Sequence, residues 1–344
     1  MFALLGLFAP LAPVEGQTLT ARSADIEIGG RVQTQFSRSS VGSATNDIFL
    51  RRARLELDIT LNEWVDGRLH PDVAGGDLAL KDAFLRLTLD PAFRVSFGQF
   101  KRSFDLFELA SSSQLPMIER DGRVEGLDEC AGVGGVCSYS RLTQKLSFSD
   151  RDVGVRVEGE RGPVSWEASM TNGEGADAAD ENDSRSFAGR LAAEVAPDWT
   201  LGGGVSVHDW VSPGGETDRS PAWSVDLEYG SWEDGLHVML AAVVGDNWRS
   251  LDDDDAPATF RTAQGLLSWY HPLSGSGPVV GVEPMLRISV ADATDRIADD
   301  TGWVITPGFA AYAGPRTFLS VNLDLYEGAS GTESSLKVQT YLYF

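Results

Sequence analysis

Ten cationic side chains recur at spacings that could do chemistry on anions. Arg31, Arg52, Arg54, Arg86, Arg94 and Arg156 fall on one parity of successive alternating segments, and Lys101, Arg102, Arg120 and Arg123 sit near the ends of one long intervening stretch. A guanidinium can hold phosphate or carboxylate through two parallel N–H···O bonds, and cations beside a narrow aqueous path lower the barrier for anions. Glu56, Asp58, Asp82, Asp152 and Glu158 share the same parity. The set therefore reads equally well as a wall of alternating ion pairs that sets a transverse field with little selectivity.

Other chemistries find less support. His208-Asp209 is the one adjacent His/Asp pair, and a hydrolytic site there would still need a positioned serine that the sequence does not identify. The remaining histidines, His70, His237 and His271, are scattered. With Cys130 and Cys137 as the sole cysteines, no metal site is expected. No cofactor and no nucleic-acid partner is expected either. The two cysteines lie in the glycine-rich segment CAGVGGVC, and in an exported protein they should form a disulfide closing a small loop outside the barrel wall.

Charge is uneven along the chain. Residues 1–161 carry 19 Lys/Arg against 23 Asp/Glu, whereas residues 162–344 carry 9 against 28, which accounts for most of the formal charge of −23. The excess falls in polar connectors such as residues 177–183 and 252–255. Neither an EF-hand nor an RTX repeat is present there, so solvated loop faces are the expectation.

The elements that hold these side chains on one face read as strands. In residues 334–344 (SSLKVQTYLYF), Leu336, Val338, Thr340, Leu342 and Phe344 share one face, and Lys337, Gln339, Tyr341 and Tyr343 share the other. Ile26, Ile28, Gly30 and Val32 alternate with Glu27, Arg31 and Gln33. Ala53, Leu55, Leu57, Ile59 and Leu61 alternate with Arg52, Arg54, Glu56, Asp58 and Thr60. Such segments recur about every twenty residues, close to one barrel strand plus a connector.

Connectors separate a barrel from a sandwich. Short turns at residues 61–63, 90–91, 161–163, 197–198 and 314–315 alternate with longer polar loops at 37–46, 171–183, 210–218, 246–258, 291–300 and 327–333. Outer-membrane barrels have this asymmetry between their two rims. The fold expected is all-β: a transmembrane antiparallel up-and-down β-barrel of about sixteen strands, wide enough for an aqueous channel. Its least regular strands hold Pro71 and Pro284.

After the strand at residues 93–100 comes a far longer loop, 101–145, containing the cysteines. Its apolar run FDLFELASSSQLPMI points to packing against the inner wall, which would narrow the lumen. A cap over the outer mouth is the competing arrangement. Residues 1–13 are apolar, with small residues Val14 and Gly16 before Gln17, so residues 1–16 read as a signal peptide and 17–344 as one barrel domain.

Three segments carry a family resemblance: FLRRARLELDITLNEW (49–64), LKDAFLRL (80–87) and FGQFKRSFDLFEL (97–109), followed by MIER (117–120). Together with the closing strand, they resemble the phosphate-selective porin O and P family. The resemblance implies a trimeric bacterial outer-membrane porin with sixteen strands per subunit. It also implies an anion-attracting lumen, with Lys101 and Arg120 as the positions carried over. The aromatic end at Phe344 is similar to the C-terminal signature that the barrel-assembly machinery reads. On this reading the partners are outer-membrane lipid and small anions such as phosphate or polyphosphate. A general non-specific porin, an outer-membrane barrel hydrolase and a soluble or surface-attached β adhesin using the acidic loops remain the alternatives.

Overall fold

The alternating segments pair antiparallel with their neighbours in sequence. The structure is a computed structural model describing residues 17–21, 24–42, 44, 46–180, 182–275 and 277–344. The expected signal peptide, residues 1–16, lies outside these. In chain order the strands are β1 (Gln17–Ala21), β2 (Ala24–Ser39), β3 (Asp47–Asn62), β4 (Val65–Asp72), β5 (Ala79–Asp90), β6 (Phe93–Lys101), β7 (Arg151–Arg161), β8 (Val164–Thr171) and β9 (Ser186–Ala196). There follow β10 (Trp199–Val211), β11 (Thr217–Ser231), β12 (Asp234–Leu251), β13 (Pro257–Trp269), β14 (His271–Pro272), β15 (Gly281–Asp292), β16 (Gly302–Gly314), β17 (Thr317–Gly328) and β18 (Gly331–Tyr343). Two short helices, α1 (Leu106–Leu109) and α2 (Tyr139–Lys145), lie between β6 and β7.

Closure comes from the last strand. β18 pairs with β2, setting Ser335 opposite Ser39 and Tyr343 opposite Arg31, so that β2–β13 and β15–β18 form a closed barrel of sixteen strands. β1 folds back on the start of β2, and β14 adds two residues beside β15. Closure leaves none of these sixteen strands at a sheet edge, which is what allows a sheet to cross lipid. Parity follows the sequence: Leu336, Leu342 and Phe344 face out and are exposed, whereas Lys337, Gln339 and Tyr341 face in.

The two rims differ as expected, with exceptions that have local causes. Two-residue turns join β3 to β4, β5 to β6, β7 to β8, β9 to β10, β11 to β12 and β16 to β17. The polar stretches at 246–258 and 327–333 are mostly strand, since β12 runs to Leu251 and Gly328 pairs with Gly331 across the turn at Ala329-Ser330. Polar residues facing a barrel interior look like loop residues in sequence. Pro71 sits at a register shift against β5. Pro284, which has no N–H to donate, lies opposite the break between β13 and β14.

Residues 102–150 fold into the lumen. Phe104, Phe107, Leu115, Met117, Tyr139, Leu142, Leu146 and Phe148 form one buried cluster with inward residues Ala222, Met239, Val243, Phe260, Leu266, Met285 and Val304 of the wall. Each buried phenylalanine contributes about 2 kcal/mol. Hydrogen bonds fix the register: Ile118 N–H donates to Asn322 (2.6 Å), Tyr139 N–H to Ser289 Oγ (2.9 Å), and Trp248 Nε1 to the Leu146 carbonyl (2.9 Å). Near the short-turn rim, Tyr312, Phe318 and Tyr341 pack inside against Trp232, Tyr270 and Tyr343. The interior beside β11–β18 is thus largely filled. Space remains against β2–β7.

Candidate functional site: a charged constriction between the inserted loop and the β2–β7 wall

The remaining space is a cavity of about 330 Å³. Leu109, Ser111, Ser112 and Arg120 bound it on the loop side. The wall contributes Arg31 from β2, Arg52, Arg54, Glu56 and Asp58 from β3, and Asp66, Arg68 and His70 from β4. Asp82, Phe84 and Arg86 of β5, Phe100 and Lys101 of β6, and Arg151 and Arg156 of β7 complete it. Nine cationic side chains thus face four carboxylates. Asp72, Glu158 and Glu108 stand behind them in ion pairs with Arg54, Arg156 and Arg120. Counting these, cations still outnumber carboxylates nine to seven.

Geometry divides the cations into two kinds. Arg68 holds Asp58 through two bonds of 2.7 and 2.9 Å, and Arg151 holds Asp82 through two of 2.9 and 3.1 Å. Arg54, Arg86 and Arg156 also pair with carboxylates, at 2.7, 2.9 and 2.8 Å. Arg31 is only loosely paired with Glu56, at 3.7 Å, and donates to the Tyr343 hydroxyl at 3.2 Å. Arg52 and Lys101 have no carboxylate within 4 Å among the described residues. Arg52 donates instead to Gln33 Oε1 (2.7 Å). Lys101 Nζ donates to the carbonyls of Glu108, Leu109 (3.3 Å) and Ala110 (3.0 Å).

Lys101 and Arg120 share a task that their sequence positions do not reveal. Arg120 donates from Nε to the Phe107 carbonyl (3.1 Å) and from Nη2 to the Ala110 carbonyl (2.5 Å), so both side chains gather the free carbonyls at the end of α1. Asp105 receives the Glu108 N–H at the other end (2.9 Å). Burial, with Glu108 nearby, pushes the Asp105 carboxyl up to about 6.

Two expected pathway residues lie elsewhere. Arg102 is buried between loop and wall, donating to the Ser147 carbonyl and to Ser206 Oγ (3.2 Å), so it pins the loop base. Arg94 lies nearer the short-turn rim, 3.4 Å from Glu158, beside a second recess with Glu160, Glu167 and Arg190. The cysteines are bonded to each other, but inside the barrel rather than outside its wall. Cys137 packs against Gly302 at the start of β16, and Asn247 of β12 reaches the Ala131 carbonyl at 3.1 Å.

Sequence parity also missed residues. Gln33 pairs with Arg52 and Thr34 with Leu50, so Arg51 is the extra residue of a β-bulge and points inward beside Arg52. There it grips Glu119 at 2.7 and 3.0 Å. Burial would raise the Glu119 carboxyl, but the Arg51 guanidinium overrides this and holds it down at about 2. The doublet Arg51-Arg52 was the available signal. On the far wall Arg287, Asp324 and Lys337 form a buried network: Arg287 meets Asp324 at 2.6 Å, and its Nη1 donates to the carbonyls of Glu119 and Arg120, both at 2.8 Å. Lys337 joins Asp324 and the Arg123 carbonyl. Its ammonium is thus covered by the loop and does not meet a wet interior.

His208 and Asp209 do have a serine neighbour, Ser186, whose Oγ lies 3.2 Å from His208 Nδ1 and donates to Asp209. The arrangement does not form a nucleophile relay. Asp209 accepts the serine's hydrogen bond rather than orienting the imidazole, and Ser186 is fully buried.

No curated protein sequence matches the chain significantly. Among solved structures it is similar to an anion-selective porin from Comamonas acidovorans, at 14% identity and a TM-score of 0.66, covering 93% of this chain and 100% of that one. It is also similar to the trimer form of OmpT, an outer membrane protein of Vibrio cholerae, at 10% identity, TM-score 0.59 and the same coverages. Salmonella typhi OmpF in complex with daunomycin matches at 12% identity and TM-score 0.60, covering 95% and 100%. At these identities the likeness is one of fold. The model of the phosphate-selective porin O and P family matches residues 26–208, more than half the chain and every wall residue of the constriction. The chain therefore belongs to the phosphate-selective porin O and P family and is a porin of the bacterial outer membrane.

Proposed function

We propose that the protein is a passive diffusion channel that favours small anions such as phosphate or polyphosphate. The observation that carries this reading is the constriction's balance of nine cations against four lining carboxylates, in a chain whose formal charge is −23. Selectivity is set where the path is narrow, while carboxylates in open electrolyte are screened within about 8 Å at physiological salt. Exclusion by size at the loop and attraction by Arg52, Lys101 and Arg120 would then act on the same solute. The anion-selective Comamonas porin supports this choice, and the trimeric Vibrio protein supports a homotrimer.

Reversal potentials in planar bilayers under asymmetric KCl test the reading. An anion preference is expected, with phosphate reducing chloride current by competition. A cation preference would leave a general porin, which the five arginine pairs closed at 2.9 Å or less favour.

A further inference from the structure

We propose that His70 sets the strength of anion selection through its own charge. The inference rests on the reading of the cavity as the conducting path. His70 stands on β4 between two acceptors, with Nε2 3.3 Å from Glu56 Oε1 and Nδ1 3.5 Å from Asp82 Oδ2. Beyond them Glu56 reaches Arg31 (3.7 Å) and Asp82 reaches Arg151 (2.9 Å), so one row of alternating charge runs across β2, β3, β4, β5 and β7 with the imidazole at its middle. The ring is buried, and neither nitrogen has a hydrogen-bond partner of good geometry.

A neutral imidazole carries one N–H and one lone pair, so between two carboxylates one nitrogen faces an acceptor with nothing to donate. Only the imidazolium can donate to both. Opposing it are the cations that line the same cavity: Arg54 on β3, Arg68 on β4, Lys101 on β6 and Arg120 on the loop, with Asp58 and Glu108 offsetting part of their charge. His70 is the histidine that lines the cavity, and an unperturbed imidazole changes charge between about pH 5 and 8. A unit charge about 7 Å from an ion in a water-like medium changes its energy by roughly one RT, favourably for an anion and unfavourably for a cation. Protonation should therefore raise the anion-to-cation permeability ratio about three- to ten-fold.

The experiment measures reversal potentials in planar bilayers under an asymmetric KCl gradient at pH 8 and pH 5, for the wild type, His70→Gln and His70→Lys. The wild-type ratio should rise by that factor on acidification, while His70→Gln should stay near the wild-type pH 8 value at both. His70→Lys should hold the acid value throughout. If His70→Gln follows the wild-type pH response, or the wild type shows none, the inference is overturned. A wild type that prefers cations at pH 8 yet shifts through His70 by the same factor would sink the anion reading and leave this one standing. Should His70→Gln fail to assemble, the lysine variant against wild type at pH 8 decides: equal ratios refute the proposal.

Discussion

At the scale of residues, charge at the constriction and charge on the loops should have opposite weight. Replacing Arg52 and Arg120 with glutamate is expected to move the reversal potential toward cations, because both line the cavity. Neutralising Asp252 to Asp255, which are exposed in the turn between β12 and β13, should change it little. Asp105 offers a test in pH. Its folded carboxyl is raised to about 6, so the folded state holds a proton that the unfolded chain has lost, and stability falls as pH rises from about 4 to about 6. Asp105→Asn keeps an acceptor for the Glu108 N–H and removes the penalty, worth up to about 3 kcal/mol. The temperature at which heating changes the protein's mobility on gels should then fall between pH 4 and 7 in the wild type more than in the variant.

At the scale of elements, the inserted loop is held from both sides, and each hold can be released separately. Arg287→Met removes the donor to the Glu119 and Arg120 carbonyls while Lys337 still pairs with Asp324. The barrel should assemble, because strand pairing does not use that side chain. Single-channel conductance should rise and become noisier as residues 117–123 loosen, and an unchanged conductance would show that the network does not position the loop. Replacing both cysteines with serine removes a cross-link across a short loop, about 2.5 kcal/mol in chain-entropy terms. Assembly should survive here too, but loop proteolysis should quicken, since the cystine is part of the loop's buried packing. The inward fold of this loop was legible from its apolar residues. The wall it packs on was not, because parity alone marks inward residues as wet. Residues 238–244 (VMLAAVV) are apolar on both faces, and that double pattern marks the docking side.

At the scale of the whole molecule, alternation and turn asymmetry made closure into sixteen strands readable. In detergent the protein should give a predominantly β circular-dichroism spectrum and run faster on gels before boiling than after, and a strongly helical spectrum would contradict the fold. The candidate site was half readable. Arg31, Arg52, Arg54, Arg86, Lys101 and Arg120 meet at the cavity because they share parity or flank the loop, whereas Arg51 depends on a bulge that no period announces. Arg102 was misread because a buried guanidinium and a lumenal one look alike in sequence.

The bonds from Arg287, Asn322 and Lys337 to the loop span 168, 204 and 214 residues. Whatever the sequence in which hairpins insert, the sieve cannot exist before β15, β17 and β18 stand across from β6. The act that zips β18 to β2 therefore also completes the filter. A nascent barrel halted short of that seam is an unguarded leak, so any quality control that rejects open barrels at the same time protects the cell from unsieved ones.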